Sequence, residues 1–413
     1  MPSPTRRQTL AAMGAAALSA AVGCRSTESS DGRTTIRFSG YAGNPAETDL
    51  VRKLCADFNA AQSGVRVVYE PVPGQYYPKM LTMLVSDTAP DVFYLDIVYF
   101  RPFLSKNILR PLDDLMAGGS TRREDLLPVL VDAFSDGGKV YGIAKDFNAH
   151  ALFYKKQALD RAGIPHPDDT WDLERLRQAA ISLSRDGKGG GMVITHDDAD
   201  RYLPVARMYG AELFGPDGRC TLQSPEAVRA MDWYAGLKLV DGAAIYPPEV
   251  GAKFPSEAFG RSPAALLVDG SWTIPFLREQ FPDLAFGVAP IPRGPASRSN
   301  FLFTVAYVIP KACKKVEAAW KLIEFLTSEA SQSQVTFALP SRRSISARYA
   351  AEHSDYQPVL DGAGYAQPFE FGKRGDRVKD RLGVMVQEVF LRAKTAPQAL
   401  GDAAADIDRL VKL

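Results

Sequence analysis

The residues best suited to chemistry in this chain are two carboxylates, Asp96 and Asp146, which lie beside apolar runs of the sequence. Two carboxylates facing each other across a cleft could hydrolyse a glycosidic bond, at separations of about 5–5.5 Å or about 6.5–9.5 Å. That reaction needs one acid and one base, and nothing in the sequence divides these roles. No Ser-His-Asp or metal motif exists, and the four histidines are scattered: His150, His166, His196 and His353. The sequence therefore favours binding over catalysis.

A second group of candidates follows from strand ends. In open α/β sheets, ligands bind beyond the carboxyl ends of the strands. Tyr41, the segment 75–77 with Tyr77, and Asp96 each lie at or near the end of a strand or in the loop beyond one. We therefore predict that these loops meet at one edge of the sheet and contact a ligand there.

The elements that position these residues alternate between strand and helix. Apolar alternation or continuous apolar runs predict strands, and apolar residues three or four apart predict helices. The order is strand 35–39, helix 47–60, strand 65–69, helix 77–85 and strand 90–95. This alternation is typical of an α/β domain with a doubly wound sheet.

Two later segments are predicted to carry the chain between two lobes. Residues 138–154 contain two apolar extended pieces joined by polar residues, which places Asp146 and Asn148 near the floor between the lobes. Residues 300–309 extend again as the return crossing. Between these segments, another predicted strand ends at Gly270. Trp272 follows it, and we expect this side chain to be exposed.

Composition limits the class of protein. The chain has 413 residues, of which 46% are hydrophobic and 23% charged, with a net charge of +1. Such a length suggests two lobes of ordinary domain size. The absence of a basic excess argues against nucleic-acid binding. Three cysteines follow Cys24, and none of them belongs to a C-x-x-C motif. At most one disulfide could therefore form among them. We expect no metal and no cofactor.

The first two dozen residues are typical of an export signal, residues 1–23. Arg6-Arg7 precedes an uncharged run too short to cross a bilayer, which requires about 20 apolar residues. The arginine pair fits a twin-arginine address. Gly23-Cys24 is similar to a lipobox, in which Cys24 becomes the lipidated first residue, with an ordinary signal peptide as the alternative. Residues 24–33 are polar and suit a tether, so we expect a lipoprotein on the extracytoplasmic face of the plasma membrane.

Six segments in a fixed order give the chain a family resemblance. They are DTAPDVF (87–93), GKVYGI (138–143), LFYKKQALDRAGI (152–164), VDGSW (268–272), GVAPIP (287–292) and AAWKLIEFL (318–326). With them, the chain resembles the extracellular solute-binding proteins of ABC importers, family 1, in the sugar-binding branch that includes maltose-binding protein. The resemblance covers nearly everything from Thr35 to the C-terminus.

The resemblance implies a two-lobed, periplasmic-binding-protein-like α/β fold that closes on a ligand by hinge motion. Residues 34–146 plus 301–345 would form lobe 1, and residues 147–300 plus 346–413 would form lobe 2. The protein would act as a monomer, not an enzyme, and would deliver its ligand to the permease subunits of an ABC importer. Its only membrane attachment would be the lipid on Cys24.

The resemblance also implies roles for individual residues in sugar binding. Trp272, with Gly270 before it, stands where the family's Gly-x-Trp aromatic stacks on a sugar. Asn148 takes the place of a carboxylate in maltose-binding protein, and Asp96 and Asp146 are candidates to replace that carboxylate.

Other positions line the same implied site. Tyr41 and Tyr77 match ligand-side loop positions of the family. Thr304, together with Phe303, occupies a position where many relatives have a glycine pair, so this wall would be narrower. Phe369 is a further candidate from the C-terminal part of the chain.

The sequence leaves the cargo open. A mono- or oligosaccharide is the leading prediction. The same transport role for a glycerol phosphate ester or a polyamine is the alternative, and an exported glycosidase or a structural surface lipoprotein are remote ones.

Overall fold

The computed structural model describes residues 32–42, 45–184, 190–335 and 338–412. The predicted export signal, Cys24 and nearly all of the tether lie outside the described residues. The strands are β1 (Thr34–Tyr41), β2 (Val65–Val72), β3 (Val92–Asp96), β4 (Ser135–Asp136), β5 (Lys139–Val140), β6 (Ile143–Lys155), β7 (Met192–Val193), β8 (Ala244–Ile245), β9 (Leu266–Gly270), β10 (Phe286–Ala289), β11 (Asn300–Val308), β12 (Leu339–Pro340) and β13 (Ala366–Pro368).

Helices make up most of the remaining structure. They are α1 (Pro45–Ala61), α2 (Tyr76–Val85), α3 (Ile97–Leu104), α4 (Asp113–Gly118), α5 (Pro128–Ala133), α6 (Lys156–Ala162), α7 (Leu173–Ser184), α8 (Tyr202–Met208), α9 (Pro225–Leu239), α10 (Pro255–Arg261), α11 (Thr273–Gln280), α12 (Val316–Leu326), α13 (Glu329–Gln332), α14 (Arg343–Glu352), α15 (Gln357–Ala363), α16 (Gly375–Phe390) and α17 (Ala396–Lys412). Short 3₁₀ helices cover Arg123–Asp125, Pro247–Val250, Ser354–Tyr356 and Gly372–Arg374. Within the described ranges, no helix is both long and apolar enough to cross a membrane.

The strands other than β4 and β5 form one mixed sheet. Its main order is β2-β1-β3-β11-β6-β9-β7-β8, with β10 and β12 paired to β6 and β13 paired to β11. The outer strands are parallel. Strand β1 pairs in this way with β2 and β3, as the alternating pattern predicted, and β7 pairs in this way with β8 and β9. The central pairings of β6 and β11 are antiparallel.

Strand β6 changes partner midway along its length. From Ile143 to Ala149 it pairs with β11, and from His150 to Tyr154 it pairs with β9. Strand β11 pairs with β3 near its end and with β13 near its start. The two long strands therefore connect a sheet region around β1–β3 to another around β7–β10.

Burial follows the sequence patterns that predicted the elements. The four apolar residues of β3 are completely buried, as expected for a strand covered on both faces. Helix α12 turns Ala319, Trp320 and Ile323 inward. Cys55, Cys220 and Cys313 are free thiols, and burial raises the pKa of each.

Candidate functional site

A cleft of about 650 Å³ lies beyond the carboxyl ends of β3, β7 and β9. Of the nine predicted ligand-binding residues, Asp96, Trp272 and Phe369 line it. Phe303 also lines it and joins the two aromatic residues, with ring centroids 5.6 Å from Trp272 and 5.1 Å from Phe369. One wall of the cleft is therefore a continuous aromatic surface.

Trp272 is the most prominent member of this wall. Its side chain is 37% exposed, which is unusual for so large an apolar group. The indole lies against the backbone of Gly270, where an added Cβ would be only 2.3 Å from the ring. The glycine at the end of β9 therefore makes room for the indole, which presents its free surface to the cleft.

Carboxylates dominate the polar lining of the cleft. Five aspartates contribute to it: Asp96, Asp197, Asp198, Asp200 and Asp269. Two of them are neutralised by Arg201, whose guanidinium donates to Asp200 at 2.6 Å and to Asp269 at 2.5 Å. Although burial opposes ionisation, Arg201 and the nearby His150 hold the pKa of Asp200 well below its usual range.

The other carboxylates of the cleft are less well compensated by positive charges. Burial raises the pKa of Asp96 to about 6, although its Oδ1 accepts a hydrogen bond from the Val98 N–H at the start of α3. Burial and the charge of Asp200 raise the pKa of Asp198 to about 6. Lys379 of α16 also lines the cleft and favours the ionised form of both. These carboxylates are strong acceptors held ready for a donor from a ligand.

Two predicted residues support the cleft without lining it. The Tyr77 hydroxyl accepts from the Asp96 N–H at 2.8 Å, and its ring stacks on Tyr99, 3.7 Å away. Tyr99 in turn lines the cleft. Asn148 accepts a 2.7 Å hydrogen bond from the Ser271 hydroxyl, between Gly270 and Trp272. Both residues therefore fix segments that carry lining side chains.

Three predicted residues lie in the interior beside β11 and β1. Asp146 is buried and pairs with Lys145, which also contacts Glu47 at 2.8 Å. The Thr304 hydroxyl donates to the Asp146 carbonyl at 2.7 Å. Tyr41 packs edge-on against two other tyrosines, Tyr76 and Tyr94. None of the three lines the cleft.

Several lining residues were not predicted from the sequence. The run from His196 to Arg201 follows β7, so the strand-end rule that identified Asp96 would have identified it too. The signal was weak because β7 has only two residues. Phe254 and Lys379 carry no local pattern that points to a cleft.

A second cavity, of about 720 Å³, is larger than the cleft. It lies on the far side of the aromatic wall, since Phe301 lines it and has its ring centroid 4.9 Å from that of Phe369. None of the nine predicted residues lines it. The smaller cleft is therefore the better candidate, because it combines an exposed aromatic face with carboxylates at strand ends.

The arrangement is suited to holding a polar ligand with an apolar face. Asp96 and Asp146 do not share the cleft, so the carboxylate pair that glycoside hydrolysis would require is not assembled from these two residues. Among the residues that the structure describes, no three His, Cys, Asp or Glu side chains are grouped so as to hold a metal ion.

A sequence profile for bacterial extracellular solute-binding proteins matches residues 43–333, well over half of the chain. The chain belongs to this family. As a solute-binding protein, it is a binding component and not an enzyme, which agrees with the sequence analysis.

Relatives of this solute-binding protein resemble it over most of its length. The arabinooligosaccharide-binding protein of Bacillus subtilis is 23% identical over 317 residues, which cover 73% of this chain and 72% of that protein. The maltooligosaccharide ABC transporter solute-binding lipoprotein of Streptococcus pneumoniae is 24% identical, with the same two coverages.

Solved structures share the fold. The GacH receptor of Streptomyces glaucescens, known unliganded and with acarbose, has a TM-score of 0.81 at 24% identity, covering 92% of this chain and 99% of that one. UgpB from Mycobacterium tuberculosis, in complex with glycerophosphocholine, has a TM-score of 0.78 at 19% identity, with the same coverages. The solute-binding protein therefore has the two-lobed, periplasmic-binding-protein-like α/β fold predicted from its sequence.

Proposed function

We propose that this solute-binding protein captures a carbohydrate, a mono- or oligosaccharide, by closing its two lobes on the ligand. The exposed indole of Trp272 beside unneutralised carboxylates is the observation that carries the proposal. A pyranose has an apolar CH face that stacks on an aromatic ring, and an equator of hydroxyls that donate to carboxylates. The cleft offers both partners within one volume.

The relatives support a sugar as the cargo. The two similar proteins named above bind arabinooligosaccharides and maltooligosaccharides according to their names, and the GacH receptor binds acarbose. Each of these ligands combines ring faces with many hydroxyls. The aromatic wall and the carboxylates of this cleft suit the same chemistry.

For the lobes, we retain the division drawn from the sequence, with residues 34–146 plus 301–345 in lobe 1 and residues 147–300 plus 346–413 in lobe 2. The exchange of partners by β6 between Ala149 and His150 supports a crossing there. The ligand would favour the closed state because Asp96 from lobe 1 and Trp272 from lobe 2 could contact it together.

A polyamine is the second candidate, because Asp96, Asp197 and Asp198 line the cleft without an ion-pair partner within 4 Å among the described residues. A glycerol phosphate ester is less well matched, since the same carboxylates repel a phosphate. The UgpB complex nevertheless shows that this fold accommodates such a ligand.

Delivery to an ABC importer and anchoring through Cys24 complete the proposal. The lipoprotein relative from Streptococcus pneumoniae supports both. We expect Cys24→Ser to move the protein from the membrane fraction to the soluble fraction of the producing cell. Cys55→Ser, at a buried thiol, is the control and should leave it membrane-bound. Unchanged fractionation of Cys24→Ser would contradict the anchor.

A thermal-shift panel on residues 25–413 tests the cargo. It would include mono-, di- and oligosaccharides, polyamines and glycerol phosphates. A ligand at 100 times its dissociation constant should add about 2.7 kcal/mol, which raises Tm by roughly 5–10 °C. We expect sugar hits that Trp272→Ala abolishes and Trp272→Phe retains in part. A rise in Tm only with polyamines or glycerol phosphates would contradict a sugar as the cargo.

A further inference from the structure

A second groove lies next to the cleft and shares lining residues with it. This groove, of about 570 Å³, is lined by Phe254, Phe276 and Phe281 together with polar residues of α10 and α11. Lys253 and Phe254 line both the cleft and the groove. The two volumes therefore adjoin at these two residues.

Phe254 presents an exposed aromatic ring where the cleft and the groove adjoin. Among the large apolar side chains that are exposed in the described ranges, Phe254 and Trp272 are the two aromatic ones, and both line the cleft. The Phe254 side chain is 42% exposed and meets Phe276 edge-on, at a centroid distance of 5.0 Å. Leaving this apolar area in water costs free energy unless a ligand covers it.

Helix α11 connects the two aromatic surfaces. Trp272 immediately precedes the helix, Phe276 lies four residues later and Gln280 four residues after that, so the three share one face. Trp272 lines the cleft, while Phe276 and Gln280 line the groove. The helix thus carries a stripe about 12 Å long that leads outward from the cleft.

The polar rim of the groove is held in place. Glu257 forms a 2.7 Å ion pair with Arg261 and accepts a 2.8 Å hydrogen bond from the Lys253 N–H. Phe281 is fixed against Gly260, where an added Cβ would lie 2.4 Å from the ring. An aromatic platform with charged groups of both signs around it can bind ring faces and hydroxyls, as the cleft can.

We propose that the groove around Phe254, Phe276 and Phe281 is an extension of the binding site that takes the distal units of an oligosaccharide whose first units fill the cleft. This proposal rests on the proposed function and adds that the cargo is an oligomer longer than the cleft. The sugar units in the groove would stack on Phe254 and cover its exposed face.

Calorimetric titration with two ligand series tests this extension. The series are malto-oligosaccharides and arabino-oligosaccharides of two to seven units, titrated into residues 25–413. For the series that binds, we expect wild-type affinity to rise beyond the disaccharide. Phe276→Ala, which removes a ring that lines the groove and not the cleft, should weaken binding of the longest members by about 3- to 10-fold and leave the disaccharide within twofold. Leu391→Ala, at another exposed apolar residue outside both volumes, is the matched control.

The outcomes separate this proposal from the one on which it rests. Affinity that stays constant beyond two units would overturn the extension and leave sugar binding intact. Equal weakening of short and long ligands by Phe276→Ala would also overturn it, since the effect would then not be confined to ligands that reach the groove. If neither series binds, the proposed sugar cargo is contradicted, and the proposed extension of the site is contradicted with it. A Tm within 2 °C of wild type shows that each variant is folded.

Discussion

The indole of Trp272 lies directly on Gly270, two residues earlier in the chain, and occupies the space that a side chain at position 270 would fill. The Gly-x-Trp spacing is therefore a steric arrangement in which the missing side chain sets the position of the ring. Because Trp272 is also the residue that precedes α11, the ring is held at the junction between a strand end and a helix start.

Gly270→Ala should consequently impair binding more than stability. The new methyl group displaces the far end of the indole, which can move because it is partly exposed. We expect affinity for the identified ligand to fall by about tenfold or more, while the free energy of unfolding changes by about 1 kcal/mol or less. Calorimetry and urea denaturation measure the two quantities. Gly401→Ala, in α17 with open space around it, is the control. Unchanged affinity would show that the ring position does not matter.

The raised pKa of Asp96 predicts a pH dependence of stability. A carboxyl group whose folded pKa is about 6, above the ordinary 3.8, makes the folded state bind protons more tightly than the unfolded state. Its contribution to stability is therefore greatest below pH 4 and is lost as the pH rises towards 6. Asp96→Asn removes this loss and keeps the Oδ1 acceptor for the Val98 N–H.

We expect Asp96→Asn to raise the free energy of unfolding of the ligand-free protein by about 1–2 kcal/mol at pH 7.5, with little change at pH 4. Urea titrations at several pH values measure this, and Asp232→Asn, at an exposed position on α9, should show no such pattern. A loss of stability at pH 7.5 would mean that the ionised Asp96 is well compensated, contrary to this argument.

The sequence was sufficient for most of the fold and for part of the cleft. Strand β3 and helix α12 were predictable because burial imposes a local period on their residues. Asp96 was predictable because it ends a buried strand. The position of Asp146 away from the cleft was not predictable. Lys145 is an extra residue in β6, at the point where the register against β11 shifts between Val305 and Ala306. Such a bulge changes which face the following side chains occupy, and no local pattern reveals it.

The lining residues from distant segments depend on tertiary structure alone. Lys379 comes from a helix that is amphipathic in the ordinary way, with exposed charges on its outer face. Only the packing of α16 beside α3, where a Cβ on Gly375 would lie 3.0 Å from the Val98 carbonyl oxygen, brings it over the cleft. Phe254 likewise becomes notable only once its exposure is known.

The buried group formed by Arg201, Asp200 and Asp269 should be essential for stability. Arg201→Met leaves two buried carboxylates without their cation, and removing one partner of a buried ion pair typically costs about 3–5 kcal/mol. We expect a loss of this size in urea denaturation at pH 7.5. Arg229→Met removes the cation of an exposed pair with Glu226 and should cost less than about 1 kcal/mol. Similar losses for the two variants would contradict the importance of burial.

Asp146 should contribute to stability and not to ligand binding. It is buried beside Lys145, which keeps Glu47 as a second partner, so Asp146→Asn should lower the free energy of unfolding by about 1–3 kcal/mol. Because Asp146 does not line the cleft, calorimetry should show ligand affinity within about twofold of wild type. Asp198→Asn, at a carboxylate that does line the cleft, should instead weaken binding by about tenfold with little loss of stability. A tenfold loss of affinity in Asp146→Asn would restore the role that the sequence analysis predicted for it, and would require the interior cluster to rearrange when ligand binds.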